Sequence, residues 1–322
     1  MGYAPREDAT STNGWWQSNN LGARAKHDTA PAVAPATIRV LVFGDSFAAG
    51  SRVPQESAWP ALIESMRPGL EVVNLGVDGY GTAQSLLRYR TLRGRLDHQV
   101  VILTVSPRAD FWRDVNTLRA LAGWRSFLLM PRFVLENGRL RLVRDPYDPP
   151  QAIYADNRAG PSPRLVEHLR RYDRFYVPWM YEPSPGLLDR SVLVKFLRAR
   201  WAATLLRRRH WEVLAPDSEA VAVTVGIAAR MRHDAAVAGA RFVLVLLPSE
   251  RDVAQLRRSA SYRAQWRAIA ERFARAGVPP VDLAPDFLAA PPEQLDRGFD
   301  GTHHGPRSNR MIAEAIGRAL AP

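Results

Sequence analysis

The sequence predicts an α/β protein built on a doubly wound parallel sheet. Three observations carry that prediction: short, nearly continuous apolar runs, helical patterns between them, and turn residues where the runs end. Continuous apolar strands suit a parallel sheet because helices cover both of its faces and neither meets water. Strands alternating with helices of this length call for right-handed βαβ crossovers. In such sheets the functional residues gather at the carboxyl ends of the strands.

Residues 1–36 are polar and Pro/Ala-rich, ending in DTAPAVAPAT, and read as an irregular lead-in. The first strand is TIRVLVF (37–43). The helix SAWPALIESM follows it, with Ser57 as N-cap and Pro60 near its start. LEVVNL (70–75) is the second strand, GTAQSLLRYRTLRGRL its helix, and HQVVILTVS (98–106) the third strand. Far downstream, DSEAVAVTVGIAARMRHDAAVA leads into RFVLVLLP (241–248). A long helical stretch then closes at Gly277, a C′ glycine, before VPPVDL (278–283) and the last helix, SNRMIAEAIGRAL. Between the third and fourth strands the alternation breaks. PRFVLENGRLRLVRDP holds an Asn137-Gly138 hairpin signal, and a Pro- and aromatic-rich piece, RFYVPWMYEPSP, comes after it. A basic stretch, DRSVLVKFLRARWAATLLRRRHWEVL, ends this region. We therefore expect one domain over 37–322, carrying an insertion at about 116–215.

Composition excludes several function classes. The chain has no cysteine, so disulfides, thiolate metal sites and a cysteine nucleophile are out. The net charge of +12 is almost wholly arginine, Lys26 and Lys195 being the two lysines. Those arginines alternate with acids and apolar residues rather than forming a patch, which argues against specific nucleic-acid binding. An anionic substrate or a membrane surface met through 190–215 fits the charge better. No run reaches the ~18 apolar residues of a spanning helix. The first twenty residues lack the basic segment and apolar core of a signal peptide.

Three local patterns fall at strand ends: Gly44-Asp45-Ser46, the stretch NLGVDGYGT from Asn74 to Thr82, and DGTHHG from Asp300 to Gly305. Each alone reads as a turn or a cap. Together they supply a chemistry. A serine hydroxyl needs a base to become a nucleophile, and the base needs an orienting acid. Asp300 and His303 are three apart, so the carboxylate can hold one imidazole nitrogen while the other faces Ser46. Backbone N–H groups at Gly79 and Ser46 could receive an oxyanion. The pattern is not Gly-x-Ser-x-Gly, because Phe47 and Ala48 follow the serine. Asp296 is a second candidate orienter. His304 beside His303 raises a metal pair, but neighbouring residues on a turn point apart and no carboxylate cluster completes it, so no metal and no cofactor are expected.

These blocks resemble the SGNH hydrolases, also called GDSL esterases. FGDSFAAG is similar to the family's first block, NLGVDGYGT to its second and FDGTHHGPRSNRMIAEAI to its last. The resemblance implies a three-layer α/β/α sandwich with a five-stranded parallel, flavodoxin-like sheet. It also implies a metal-free serine esterase or acyltransferase acting on acetyl or short acyl esters of a small molecule or carbohydrate. Catalysis would rest on Ser46, His303 and Asp300, with Gly79, Asp45 and Asn74 building the oxyanion and substrate region. The lead-in GWWQSNNLGARA more loosely resembles larger bacterial members, some with an upstream membrane anchor. Location thus stays open between cytoplasmic, as the chain stands, and extracytoplasmic, if an N-terminal anchor has been trimmed; the oligomeric state stays open too. One block departs. Where the family carries an oxyanion-binding Asn after the third strand, TVSPRADFWRDVN places Ala109 or Asp110. Arg108, Arg113 or Asn116 as a replacement donor, a protonated Asp110, or an impaired site are the ways to read this. The last leads to a second function, a non-catalytic or specialised binding protein of the same fold.

Overall fold

The structure, a computed structural model, describes residues 2–124, 126–181 and 191–320. Along the chain run β1 (Ile38–Phe43), α1 (Trp59–Met66), β2 (Leu70–Asn74), α2 (Thr82–Leu92), β3 (Val100–Val105) and α3 (Pro107–Asp114). A hairpin of β4 (Phe133–Glu136) and β5 (Arg139–Leu142) is followed by α4 (Ala152–Asp156), α5 (Pro163–Tyr172), α6 (Pro178–Tyr181) and α7 (Val192–Glu212). Then come α8 (Glu219–Val237), β6 (Arg241–Leu246), α9 (Glu250–Arg258), α10 (Ala260–Arg275), β7 (Pro280–Asp282), α11 (Ala284–Ala289) and α12 (Pro306–Ala319). The chain divides into two compact units: Tyr3–Asp110 with the residues from Thr224 onward, and Phe111–Val223.

The first unit holds a five-stranded sheet in the order β2-β1-β3-β6-β7, parallel at every pairing. Its strands are the five apolar runs expected from the sequence, and helices flank it. Alternation along the strands builds two cores. Val40, Val42, Val100, Ile102, Val243 and Val245 face a cluster with Trp59 and Ile63 of α1 and Ile312 and Ile316 of α12. Each such side chain stabilises the fold by roughly 1.5–3 kcal/mol relative to exposure. On the opposite face Phe43 meets Tyr89 of α2 edge-on at 5.6 Å. Arg90 of α2 and Arg93, its C-cap, join Arg230 of α8 around the buried Asp234 carboxylate.

Two helix ends show how local signals fare. Gly277 stands one residue past the α10 cap with φ +77°, as a C′ glycine should. Ser57, by contrast, does not cap α1. It is taken up in a single 3₁₀ turn, Gln55–Ser57, and Ala58 occupies the N-cap without a side-chain bond. The orphan Trp59 N–H is met from far along the chain by Asn309 Oδ1 of α12, at 3.1 Å.

The lead-in holds no named helix or strand among its described residues, yet side chains pin it down. Arg39, 1 % exposed, donates to the Pro31 and Ala32 carbonyls and pairs with Glu71 at 3.0 Å.

In the second unit β4 and β5 form the expected hairpin, Asn137 and Gly138 both adopting positive φ (+51° and +73°). The Asp173 carboxylate organises the chain nearby, accepting the Thr117 and Leu118 N–H groups at 2.6 and 2.9 Å. Residues 182–190 of the Pro- and aromatic-rich and basic stretches lie outside the described residues. No helix among the described residues is long and apolar enough to cross a membrane.

Candidate active site

Three loops of the first unit meet beyond the carboxyl ends of β1 and β2. The first turns sharply at Gly44, whose φ is +147°; a Cβ there would overlap Thr104 Oγ1 and come within 2.7 Å of Ala48 Cβ. Only glycine lets the chain leave the strand at this angle. Asp45 then closes an Asx-type turn, its Oδ1 accepting the Phe47 N–H at 2.8 Å and its carbonyl the Ala49 N–H at 3.0 Å. Gly50 and Ser51 donate to the Phe47 and Ser46 carbonyls. Among the described residues the Ser46 N–H takes no part in these bonds. Ser46 itself is 6 % exposed.

The second loop is laced to the first. Leu75 N–H donates to the Val42 carbonyl at 2.8 Å and Val77 N–H to that of Gly44 at 3.1 Å. Asn74 is a strut between them: Nδ2 donates to the Ala49 carbonyl at 3.1 Å, while Oδ1 accepts the Gly76 N–H. Beneath both loops lies Arg24 of the lead-in. Its guanidinium donates to the Ala49, Gly50, Val53 and Trp15 carbonyls, and burial lowers its pKa to about 10. Gly79 sits in the turn that follows, with φ +79°.

The third loop, before α12, brings His303 and Asp300. His303 Nε2 lies 2.8 Å from Ser46 Oγ, and His303 Nδ1 lies 2.6 Å from Asp300 Oδ2. A carboxylate only accepts, so Nδ1 carries the proton and Nε2 is left to accept the Ser46 hydroxyl. Burial pushes the Asp300 carboxyl up, but bonds from the Thr302 and His303 N–H groups, the Thr302 hydroxyl and the His303 ring outweigh it. The net effect holds Asp300 well below the usual carboxylate range. Phe47 stacks on the His303 ring at 4.8 Å and restricts its tilt.

The remaining candidates are held by other partners. Asp296 accepts the Arg307 and Ser308 N–H groups at 3.1 and 2.9 Å, capping the start of α12. His304 turns away from His303. It is buried against Phe47 and Phe287, its Nε2 bonds to the Pro248 carbonyl at 3.0 Å, and burial pushes its pKa down to about 4. No group of three or more His, Asp or Glu among the described residues could hold a metal ion. After β3, Asp110 is 1 % exposed and its Oδ2 accepts the Ser106 N–H at 2.7 Å. Arg108 pairs with Asp252 at 3.1 Å. Asn116, in the second unit, shares its amide donors between the Leu118 carbonyl and the Asp173 carboxylate.

Sequence reasoning missed three contributors. Arg24 had no signal, lying in a lead-in that reads as irregular. Asn309 joins the His loop to α1, its Nδ2 donating to the His304 and Gly305 carbonyls. Arg52, at φ +71°, reaches Asp78 at 3.3 Å and Asp300 at 3.6 Å, and its carbonyl accepts the Phe299 N–H. It thereby bridges the second and third loops.

No protein-family model matches the chain, and no curated protein matches it. Solved structures similar to it include an acetyl xylan esterase, at 14% identity and TM-score 0.42 over 88% of this chain and 100% of that one. A member of the lipolytic G-D-S-L family from Veillonella parvula is similar at 11% identity and TM-score 0.40, covering 88% and 98% of the two chains. A lipase/acylhydrolase from Enterococcus faecalis is similar at 13% identity and TM-score 0.42, covering 88% and 95%.

Proposed function

We propose that this chain is a serine esterase or acyltransferase of the SGNH type, working through an acyl-enzyme on Ser46. The observation that carries the reading is the unbroken relay Ser46 Oγ–His303 Nε2, 2.8 Å, and His303 Nδ1–Asp300 Oδ2, 2.6 Å. We read residues 37–322 as one catalytic domain with an insertion at about 116–215.

Ser46 Oγ attacks the acyl carbonyl while its proton passes to His303 Nε2. The imidazolium is stabilised by Asp300, which keeps the tautomer fixed and stays ionised throughout. The tetrahedral oxygen is received by the Ser46 and Gly79 N–H groups. Collapse breaks the ester C–O bond, and His303 returns the proton to the departing alkoxide. Water or an acceptor hydroxyl then repeats the sequence in reverse, freeing Ser46. No cofactor enters these steps. The substrate class that suits them is an O-acyl ester of a small molecule or carbohydrate.

Labelling by a fluorophosphonate probe tests the assignment. The wild-type chain should label, and Ser46→Ala should not. Equal labelling of both overturns the nucleophile. The buried acidic Asp110 at the third strand end favours the second reading, a binding protein with an impaired oxyanion hole. Absence of both labelling and ester hydrolysis in the folded wild-type chain would select it.

A further inference from the structure

Exposed large apolar residues are scattered singly over most of the described surface, but five fall within residues 192–201. Val192, Leu193, Phe196, Leu197 and Trp201 of α7 are 56–81 % exposed. Trp179 of α6, itself exposed, stands 6.5 Å from Trp201 and widens the patch. Bulky apolar side chains crowded in this way in water are unfavourable, since burying each one is worth most of its transfer free energy. Along α7 only Ala202 is buried, so packing within its own unit does not explain these side chains.

The charge on the same helix indicates what covers them. Over Val192–Glu212 stand six basic residues and a single acid, Glu212, which closes the last turn with Arg208 at 2.7 Å. The apolar half of the helix, up to Trp201, carries Lys195, Arg198 and Arg200 and no acid at all. Long basic side chains can lay their methylenes along an apolar surface while the charge reaches outward. A protein core would leave Lys195 and Arg200 desolvated, whereas the headgroup layer of an anionic bilayer pairs with them while its acyl boundary takes the apolar rings. We propose that α7 is a peripheral membrane-docking helix that recognises an anionic lipid surface. The proposal stands on the second unit alone and does not depend on the assignment of Ser46.

Vesicle flotation of the full chain tests it. Binding is expected to vesicles of equimolar phosphatidylcholine and phosphatidylglycerol, and not to phosphatidylcholine alone. It should fall at least tenfold in 1 M salt, where the screening length is only about 3 Å. The double variant Leu193→Glu, Phe196→Glu removes two apolar anchors and reverses local charge, and should lower partitioning by roughly a hundredfold or more. Both positions are exposed, so its melting temperature and its hydrolase or probe-labelling level should match wild type. Three outcomes overturn the proposal: no flotation at low salt, equal flotation on both lipids, or flotation unchanged in the double variant. Concentration-dependent dimerisation that the double variant abolishes, without vesicle binding, would also overturn it and assign the face to a second copy of the chain. Ser46→Ala should float as wild type does, which separates failure here from failure of the catalytic reading.

Discussion

The loops after β1 and after β3 leave neighbouring strands of one sheet and end in opposite chemical states. After β1, the turn is closed by Asp45 and by the amides of Phe47, Ala49, Gly50 and Ser51, which leaves the Ser46 hydroxyl for His303. After β3, Asp110 turns back onto the Ser106 amide and is buried there. The adjacent histidines repeat the contrast. His303 joins a relay, while His304 is walled in by Phe47 and Phe287 and tied to a carbonyl. An aspartate of the loop itself closes each turn, onto the Phe47 amide after β1 and onto the Ser106 amide after β3; what differs is that the serine beside Asp45 meets an imidazole.

The largest break in this contrast is Ser46→Ala. Turnover of a short-chain ester should fall by roughly 10⁴–10⁶-fold, with an unchanged melting temperature. Initial rates measured alongside thermal melts decide it; a loss below tenfold would move the nucleophile elsewhere. Asp300→Asn comes next, at roughly 10⁴-fold in turnover, because an amide can stabilise the wrong imidazole tautomer. Its test is kcat from rates over a substrate series, with KM expected to change little.

His304 sharpens the inert side. Its pKa in the folded chain is pushed down to about 4, against an ordinary value near 6.5. Its contribution to stability is therefore complete above pH 6.5 and declines as pH falls toward 4, because the unfolded chain takes up the proton first. The loss is on the order of 3 kcal/mol across that window. Denaturant melts at pH 7.5 and 4.5 should show a smaller difference for His304→Gln than for wild type. A smaller effect is expected from Asp110→Asn. The amide keeps an oxygen for the Ser106 N–H and adds a donor at the third strand end, so ester turnover should rise by about tenfold, within the range one oxyanion donor supplies. A rate unchanged or lowered would place Asp110 outside oxyanion chemistry. Smallest is Arg52→Gln. Its ion pairs with Asp78 and Asp300 are 3.3 and 3.6 Å long and substantially solvated, so turnover should drop only about threefold, and less at high salt.

The parallel sheet was legible because its strands are short apolar runs with turns at both ends, a pattern that depends on neighbouring residues. That Ser46, Asp300 and His303 come together was legible because each stands at a strand or helix end, where a doubly wound sheet gathers its loops. Ser57 misled because a capping residue one step from a helix is indistinguishable, in sequence, from one absorbed into the preceding 3₁₀ turn. The cap that α1 uses comes from Asn309, 250 residues away, and no local pattern encodes it. Arg24 escaped for the same reason: its acceptors are backbone carbonyls, which carry no residue identity. Arg108 and Asn116 were reasonable stand-in donors by type, and only their partners, Asp252 and Asp173, show how they are engaged.

Arg24 also bears on how this protein can be cut. A boundary drawn just before the first strand, at residue 37, would discard the guanidinium that collects the Ala49, Gly50 and Val53 carbonyls. Each charge-assisted bond of this kind is worth about 1.5–3 kcal/mol, and its loss leaves buried acceptors dry. A shortened chain would keep every strand of the sheet and every residue of the relay, yet lose the keystone under the Ser46 turn. Truncation libraries should therefore start before residue 24, since the segment ahead of the sheet is tied into the Ser46 turn.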